Sequence, residues 1–199
     1  MALKYQFNKI AMQFLSKQLK VRQKALPTLK SKEAALRVTV KKQKDILLEL
    51  EKNYNKRMEE LNSFIRLWSE FPEEIFNLTE VTLSVKKIAG IKTPNLEKLD
   101  YKIEDFSMFD SPKWLLQGIS ILKEITNLLT ELEINRKRIE ILEYARKKTT
   151  QKVNLYEKVQ IPQYSEAILK IKRFLEDEAN LDKAAQKITK QKQASGGGV

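Results

Sequence analysis

The chain has 199 residues, with 38 Lys and Arg against 26 Asp and Glu, and contains neither cysteine nor histidine. That composition removes disulfides, thiolate metal sites and the commonest general base, and points to a reducing compartment. With five glycines, three of them in the last four residues, and five prolines, there are too few turn formers for a compact globular fold.

The first predicted element runs from Lys4 to Glu70. Positions 5, 12, 19, 26, 33, 40, 47, 54, 61 and 68 read Tyr, Met, Leu, Leu, Glu, Val, Leu, Tyr, Leu and Trp. An apolar stripe with a period of seven keeps facing a partner helix only when the two supercoil, so this is a coiled-coil seam. Pro27 falls inside the pattern and predicts a bend, because the heptad phase continues past it. Polar seam positions Arg22, Gln43, Arg57 and Gln160 set register more often than they serve a ligand. Phe71-Pro72 ends the helix. Next, Val81-Thr82-Leu83-Ser84-Val85 and Leu99-Asp100-Tyr101-Lys102-Ile103 alternate with period two. They predict a short β-hairpin with a long, turn-rich connection through Ala89-Gly90 and Thr93-Pro94-Asn95. The hairpin is expected to pack on the helix ends through Phe71, Phe76, Phe106, Phe109 and Trp114.

Asp110-Ser111-Pro112 opens the second helix, with a capping side chain and a proline at its start. Its own series is Ile125, Leu132, Ile139, Val153, Ala167, Phe174, Leu181 and Ile188, interrupted by Arg146 and Gln160, with Pro162 as an internal bend. The expected fold is all-α: a long antiparallel two-helix coiled coil with a short β-hairpin between the helices. Its parts are an N-terminal helix over 1–70, a central segment over 71–111, a C-terminal helix over 112–193 and a disordered tail over 194–199. Folding back about residues 71–111 pairs positions that add to about 182.

Residues 1–44 carry ten Lys and two Arg against Glu33, a net charge of +11; the other 155 residues contribute +1. A solvated lysine face is the bland explanation. A like-charge block this dense nevertheless repels itself unless an acidic surface or counterions offset it. Lys9, Lys17, Lys20, Arg22, Lys24, Lys30 and Lys32 are therefore the candidate partner-binding residues. No glycine-rich phosphate loop is present, and acidic pairs such as Glu59-Glu60 fall on predicted solvent faces. No apolar run approaches the ~20 residues of a membrane span, and the opening residues lack a signal-peptide core. A cytoplasmic protein is expected, without catalytic, metal or cofactor site.

The second helix contains Thr150-Gln151-Lys152-Val153-Asn154-Leu155-Tyr156-Glu157-Lys158-Val159-Gln160-Ile161-Pro162. This string resembles the signature of the D subunit of V-type and archaeal-type rotary ATPases, carried here by Val153, Asn154, Glu157, Val159, Ile161 and Pro162. Leu26-Pro27-Thr28-Leu29-Lys30 and Ile88-Ala89-Gly90-Ile91 with Pro94 are similar to the family's opening and central segments. The resemblance implies a non-catalytic central-stalk rotor transmitting torque between a catalytic hexamer and a membrane rotor that moves protons or sodium ions. It implies as partners the hexamer's A and B subunits, the small F subunit of the stalk and a subunit connecting to the membrane rotor. Such a chain is peripheral to the membrane within a membrane-bound complex and binds no nucleic acid. The rival readings are a basic coiled-coil binder of nucleic acid or anionic membrane surfaces, and an enzyme with an unrecognised site.

Overall fold

The structure, a computed structural model, describes residues 4–62, 65–72, 74–106 and 112–196. Helix α1 spans Lys9–Asn62 and the single turn α2 spans Ile65–Trp68; strands β1 (Phe76–Ile88) and β2 (Ile91–Ile103) follow. Helix α3 covers Leu115–Asn154, a π-helical segment covers Leu155–Gln160, and α4 covers Ile161–Gly196. The chain divides into two compact units, one of Met1–Ser31 with Thr149–Val199 and the other of Lys32–Lys148. Among the described residues the regular elements are long helices and one antiparallel hairpin between them, the expected fold class.

In the first unit α1 begins at Lys9, five residues later than expected, because Asn8 caps it. The Asn8 Oδ1 accepts the Ala11 N–H at 2.6 Å, satisfying a donor that the first turn cannot pair internally. Leu15, Ala167 and Ile171 form the buried core, flanked by Tyr5, Ala11, Met12, Tyr164, Ile168 and Leu175. Pro27 stands inside α1 without ending it. The second predicted helix is not one element here: α3 gives way to the π segment, whose end is marked by the Ile161 N–H bonding Tyr156 O, five residues back. The irregularity expected at Pro162 thus comes just before it, as a change of helix type. Proline offers no N–H and its ring crowds the carbonyl four residues earlier, and a wider turn relieves both. Helix α4 continues to Gly196, three residues into the expected disordered tail.

In the second unit α1 and α3 run antiparallel. Arg57 meets Glu124 at 3.1 Å and Lys44 meets Glu143 at 2.5 Å, positions that add to 181 and 187. All ten positions of the stripe from Tyr5 to Trp68 are half-buried or buried across the two units. Of the four buried α1 side chains, Val40 is on the stripe and Leu15, Leu36 and Gln43 stand three residues beyond a stripe position. Leu36 and Val40 pack with Leu142 in the second unit's core. Helix α3 starts at Leu115 instead of Pro112, whose carbonyl accepts the Leu115 N–H in a turn. The predicted cap Asp110-Ser111 lies outside the described residues, as does Phe109.

The hairpin departs most from expectation. Its strands have thirteen residues each, joined by Ala89-Gly90 alone, and the supposed turn Thr93-Pro94-Asn95 lies inside β2 opposite Lys86, Val85 and Ser84. Both turn residues have positive φ, 49° and 77°, the two-residue geometry whose twist matches paired strands. A proline is tolerated because a two-stranded ribbon has only edge strands. Register breaks between Leu78 and Glu80 and between Thr82 and Leu83 insert Thr79 and Glu97 as bulges. The hairpin does not sit on the helix ends; it lies back along the helices. Ile91 packs on the Leu36–Val40–Leu142 core, and the Tyr101 hydroxyl donates to Asn127 Oδ1 at 3.0 Å. Burial raises the Tyr101 pKa above its ordinary value.

Arg138 on α3 is the clamp. Its Nε and a terminal nitrogen donate to Pro94 O at 3.2 and 3.0 Å, the same nitrogen reaches Asn95 Oδ1 at 3.1 Å, and the other reaches Gln43 Oε1 at 3.3 Å. Burial lowers its pKa, partly offset by Glu131. Beside the apolar contact of Ile91, the helix-facing side of the hairpin is polar where Arg138 meets it, with Thr93 1% exposed, while Leu83 and Val85 are 51% and 69% exposed. Of the aromatics expected beneath the hairpin, Phe71 and Trp114 instead join Trp68 where the two helices end, with centroids 5.5–6.1 Å apart. Gly118 makes room for that cluster: a Cβ there would stand 3.0 Å from the Trp114 ring. Phe76 stacks on Tyr101 within the hairpin, centroids 5.2 Å apart.

Two expectations follow from the hairpin. Arg138→Ala removes a charge-assisted clamp and leaves the Pro94 carbonyl and Gln43 short of a donor. It should cost about 2 kcal/mol and raise amide exchange in β2 while far-ultraviolet circular dichroism stays unchanged. Ala89→Gly should stabilise the chain by about 1 kcal/mol in a urea titration, because alanine bears the left-handed penalty and glycine does not.

Candidate partner-binding surface

Lys9, Lys17, Lys20, Lys24 and Lys30 are exposed on the first unit's part of α1, and Lys32 is exposed on the second unit's part. Exposed Ile10, Phe14 and Val21, at 78%, 59% and 62%, interleave with them. Spacings of four and seven put these three on one side of the helix, away from the Met12–Leu15 seam. Sequence reasoning found the lysines but missed this apolar stripe. It was legible as a second heptad-like series, Phe14 and Val21, two residues out of phase with the seam.

Arg22 stands apart from the lysines because it is turned inward. Its Nε donates to Gln160 Oε1 at 2.6 Å, and a terminal nitrogen donates to Gln18 Oε1 at 2.7 Å and to Gln18 O at 3.0 Å. Its guanidinium carbon lies 4.6 Å from the Tyr164 ring centroid and 5.8 Å from that of Tyr156. A planar guanidinium suits such a cage: its edge donates while its face stacks. Lys30 also reaches across, pairing with Glu157 at 2.6 Å, but both side chains are nearly half exposed. That pair is worth about 0–1 kcal/mol.

The family-motif residues gather at the π segment. Val153 is buried and points into the pair, Ile161 is half-buried, and Asn154, Glu157, Val159 and Pro162 are exposed. The motif thus combines a seam residue, a cross-helix ion pair and the backbone change that precedes Pro162.

Beyond Leu175 every described side chain of α4 through Gln193 is exposed. Phe174, Leu181 and Ile188, predicted as seam residues, are 46%, 72% and 54% exposed. Phe174 touches only the edge of the pair, its ring 5.1 Å from Phe7. Two causes put them outside. Helix α1 starts at Lys9, so no first-helix residue remains to cover α4 past Leu175, and the π segment has moved the seam onto Ile161, Tyr164, Ile168, Ile171 and Leu175. Among the described residues no cluster of carboxylates is placed to hold a metal ion, and no helix is long and apolar enough to cross a membrane.

Arg22→Ala should lower stability by about 1–3 kcal/mol in urea unfolding, since it strands two glutamine side chains and empties the space between two tyrosines. Lys30→Ala, removing the neighbouring but exposed pair, should change it by less than about 1 kcal/mol.

A sequence profile for the D subunit of ATP synthase matches residues 11–191. The D subunit of the V-type ATP synthase of Borreliella burgdorferi is 33% identical over 177 residues, 87% of each chain. Those of Chlamydia pneumoniae and Chlamydia muridarum are each 29% identical over 172 residues, 84% of this chain and 82% and 85% of theirs. The match runs from within the first turn of α1 through the hairpin and the π segment to most of α4, and on that extent the chain belongs to the ATP synthase D-subunit family.

Proposed function

We propose that this chain is the non-catalytic central-stalk rotor of a V-type or archaeal-type ATPase, transmitting torque between the catalytic hexamer and the membrane rotor. The observation that carries this reading is the bare end of α4. Eighteen residues, Glu176–Gln193, are helical and exposed on every side, with Leu181 and Ile188 projecting from them. An isolated helix of that length is marginal in water, and its apolar side chains gain nothing there; both are explained by a surrounding partner. Exposed Ile10, Phe14 and Val21 with the flanking lysines extend the same surface onto α1.

In this reading the A and B subunits of the hexamer enclose α4 and the N-terminal part of α1. The small F subunit binds alongside, and a further subunit joins the stalk to the membrane rotor, placing the chain at the cytoplasmic face of the membrane. Catalysis belongs to the hexamer; this chain supplies asymmetry, which opens and closes nucleotide sites in turn. Lys9, Lys17, Lys20, Lys24, Lys30 and Lys32 suit a turning surface. Long solvated side chains give a diffuse attraction that varies little with angle, each contact being worth about 0–1 kcal/mol and screened by salt.

Co-expression with the A and B subunits of the same source tests the reading. The full chain should co-purify with the hexamer and raise its ATPase rate. A chain ending at Leu175 should keep the unfolding midpoint of the intact protein and fail to assemble. Single Lys→Ala changes at Lys9, Lys17, Lys20 or Lys24 should be nearly silent, whereas reversing all four to Glu should weaken assembly, more so at low salt. If the reversal leaves assembly intact and instead abolishes duplex DNA binding with a steep salt dependence, the chain is a nucleic-acid binder.

A further inference from the structure

Over one short window both helices lose the features that elsewhere hold them. On α1 no residue between Leu15 and Leu36 is buried, and Pro27 offers no N–H to the Gln23 carbonyl. Opposite it none of Leu155–Gln160 is buried, and Pro162 offers no N–H to the Lys158 carbonyl. The window is bracketed by Arg22 with Gln160 and by Lys30 with Glu157, so the two proline defects lie at one height of the pair.

The seam shows what the π segment does. On α1 the half-buried and buried positions 12, 19, 26, 33 and 40 keep intervals of seven throughout. On the other side Ile125, Leu132, Ile139, Arg146 and Val153 also step by seven, but the next seam residues are Ile161, Ile168 and Leu175. Likewise Leu142, Thr149 and Tyr156 step by seven and are followed by Tyr164 and Ile171. Both series contain one interval of eight; the first spans the π segment and the second begins within it and crosses its end. One residue of an α-helix turns the chain by about 100°, so a surplus residue in regular helix would swing the second seam away from α1. A π turn takes in one more residue per turn and cancels that rotation. The other phase, continued by sevens from Val153, runs through Gln160, Ala167 and Phe174, flanked by Gln163, Lys170 and Asp177. Ala167 on it is buried with Leu15 and Ile171, but Phe174, Lys170 and Asp177 are exposed, so that phase does not continue as the seam.

We infer that Leu155–Gln160 houses one surplus residue and that this window, with Pro27 across from it, is a built-in joint where the helix pair yields first. Opening it breaks few backbone hydrogen bonds and uncovers no buried side chain, whereas the same opening on either side exposes a core. The Arg22 cage restrains the joint from one edge: Tyr156 and Tyr164 both reach the guanidinium because eight residues here turn like seven. The inference concerns the isolated chain and does not require the rotor reading.

Hydrogen exchange on the intact protein tests it. Amides of residues 155–162 and 23–30 should exchange at least about tenfold faster than those of 12–18 and 165–172. Equal protection across these segments would overturn the joint, with no variant needed. Removing Lys158 should convert the segment to continuous α-helix, keep the unfolding midpoint and slow exchange at 155–162 by about tenfold. Removing Lys42, from a stretch of unbroken sevens, should lower the midpoint sharply. If removal of Lys158 is as damaging as removal of Lys42, or prevents folding, no residue is surplus. Pro162→Ala serves as an independent check: it restores a donor and should slow exchange at the joint without altering the seam.

Discussion

Two helices that could not persist alone in water persist because each buries the other's apolar stripe, and the antiparallel register of that stripe governs everything else. Register decides that Arg22 finds Gln160, that Arg57 finds Glu124 and that Leu15 settles against Ala167 and Ile171. A slip of one residue would move every one of these partners about 100° around the helix. Polar seam residues make such a slip costly, because a buried guanidinium or amide without its partner loses more than a misplaced leucine does. Arg138 extends the same logic to the hairpin, tying strand β2 to two helices through one side chain.

Much of this was legible in the residues. The heptad series from Tyr5 to Trp68 marked the buried side of α1 at every position, since period seven follows directly from how two supercoiled helices meet. The pairing of positions adding to about 182 was legible from where the central segment begins and ends. What failed were features that depend on a third element or on backbone geometry. Period-two alternation located β1 but not which of its faces is covered: Arg138, Gln43 and Asn127 await it on the helices, so the polar side near the turn goes inward and Leu83 and Val85 go outward. Thr93-Pro94-Asn95 read as a turn because proline and asparagine usually make one, yet Ala89-Gly90 suffices.

The second helix failed differently. Continuing its series by sevens through Gln160 put Phe174, Leu181 and Ile188 on the seam, whereas intervals of eight at Val153–Ile161 and Tyr156–Tyr164 were there to be read. Of the candidate surface, the lysines could be picked out by charge alone. Arg22 could not be separated from them, because nothing local distinguishes a guanidinium that faces solvent from one held between Tyr156 and Tyr164, more than 130 positions away.

The outward-facing hairpin has a bearing on how this protein behaves in concentrated solution. A two-stranded ribbon leaves both outer edges without strand partners, and this one shows Leu83 and Val85 to water beside them, a combination that invites stacking with other copies into larger sheets. Its defences are local. Pro94 withholds a donor from the β2 edge, the bulges at Thr79 and Glu97 break the flat run an incoming strand would need, and exposed Lys86, Lys87, Lys92, Lys98 and Lys102 repel a second ribbon. The lysines on the hairpin therefore oppose pairing of one ribbon with another, and neutralising them by acetylation would be expected to favour self-association.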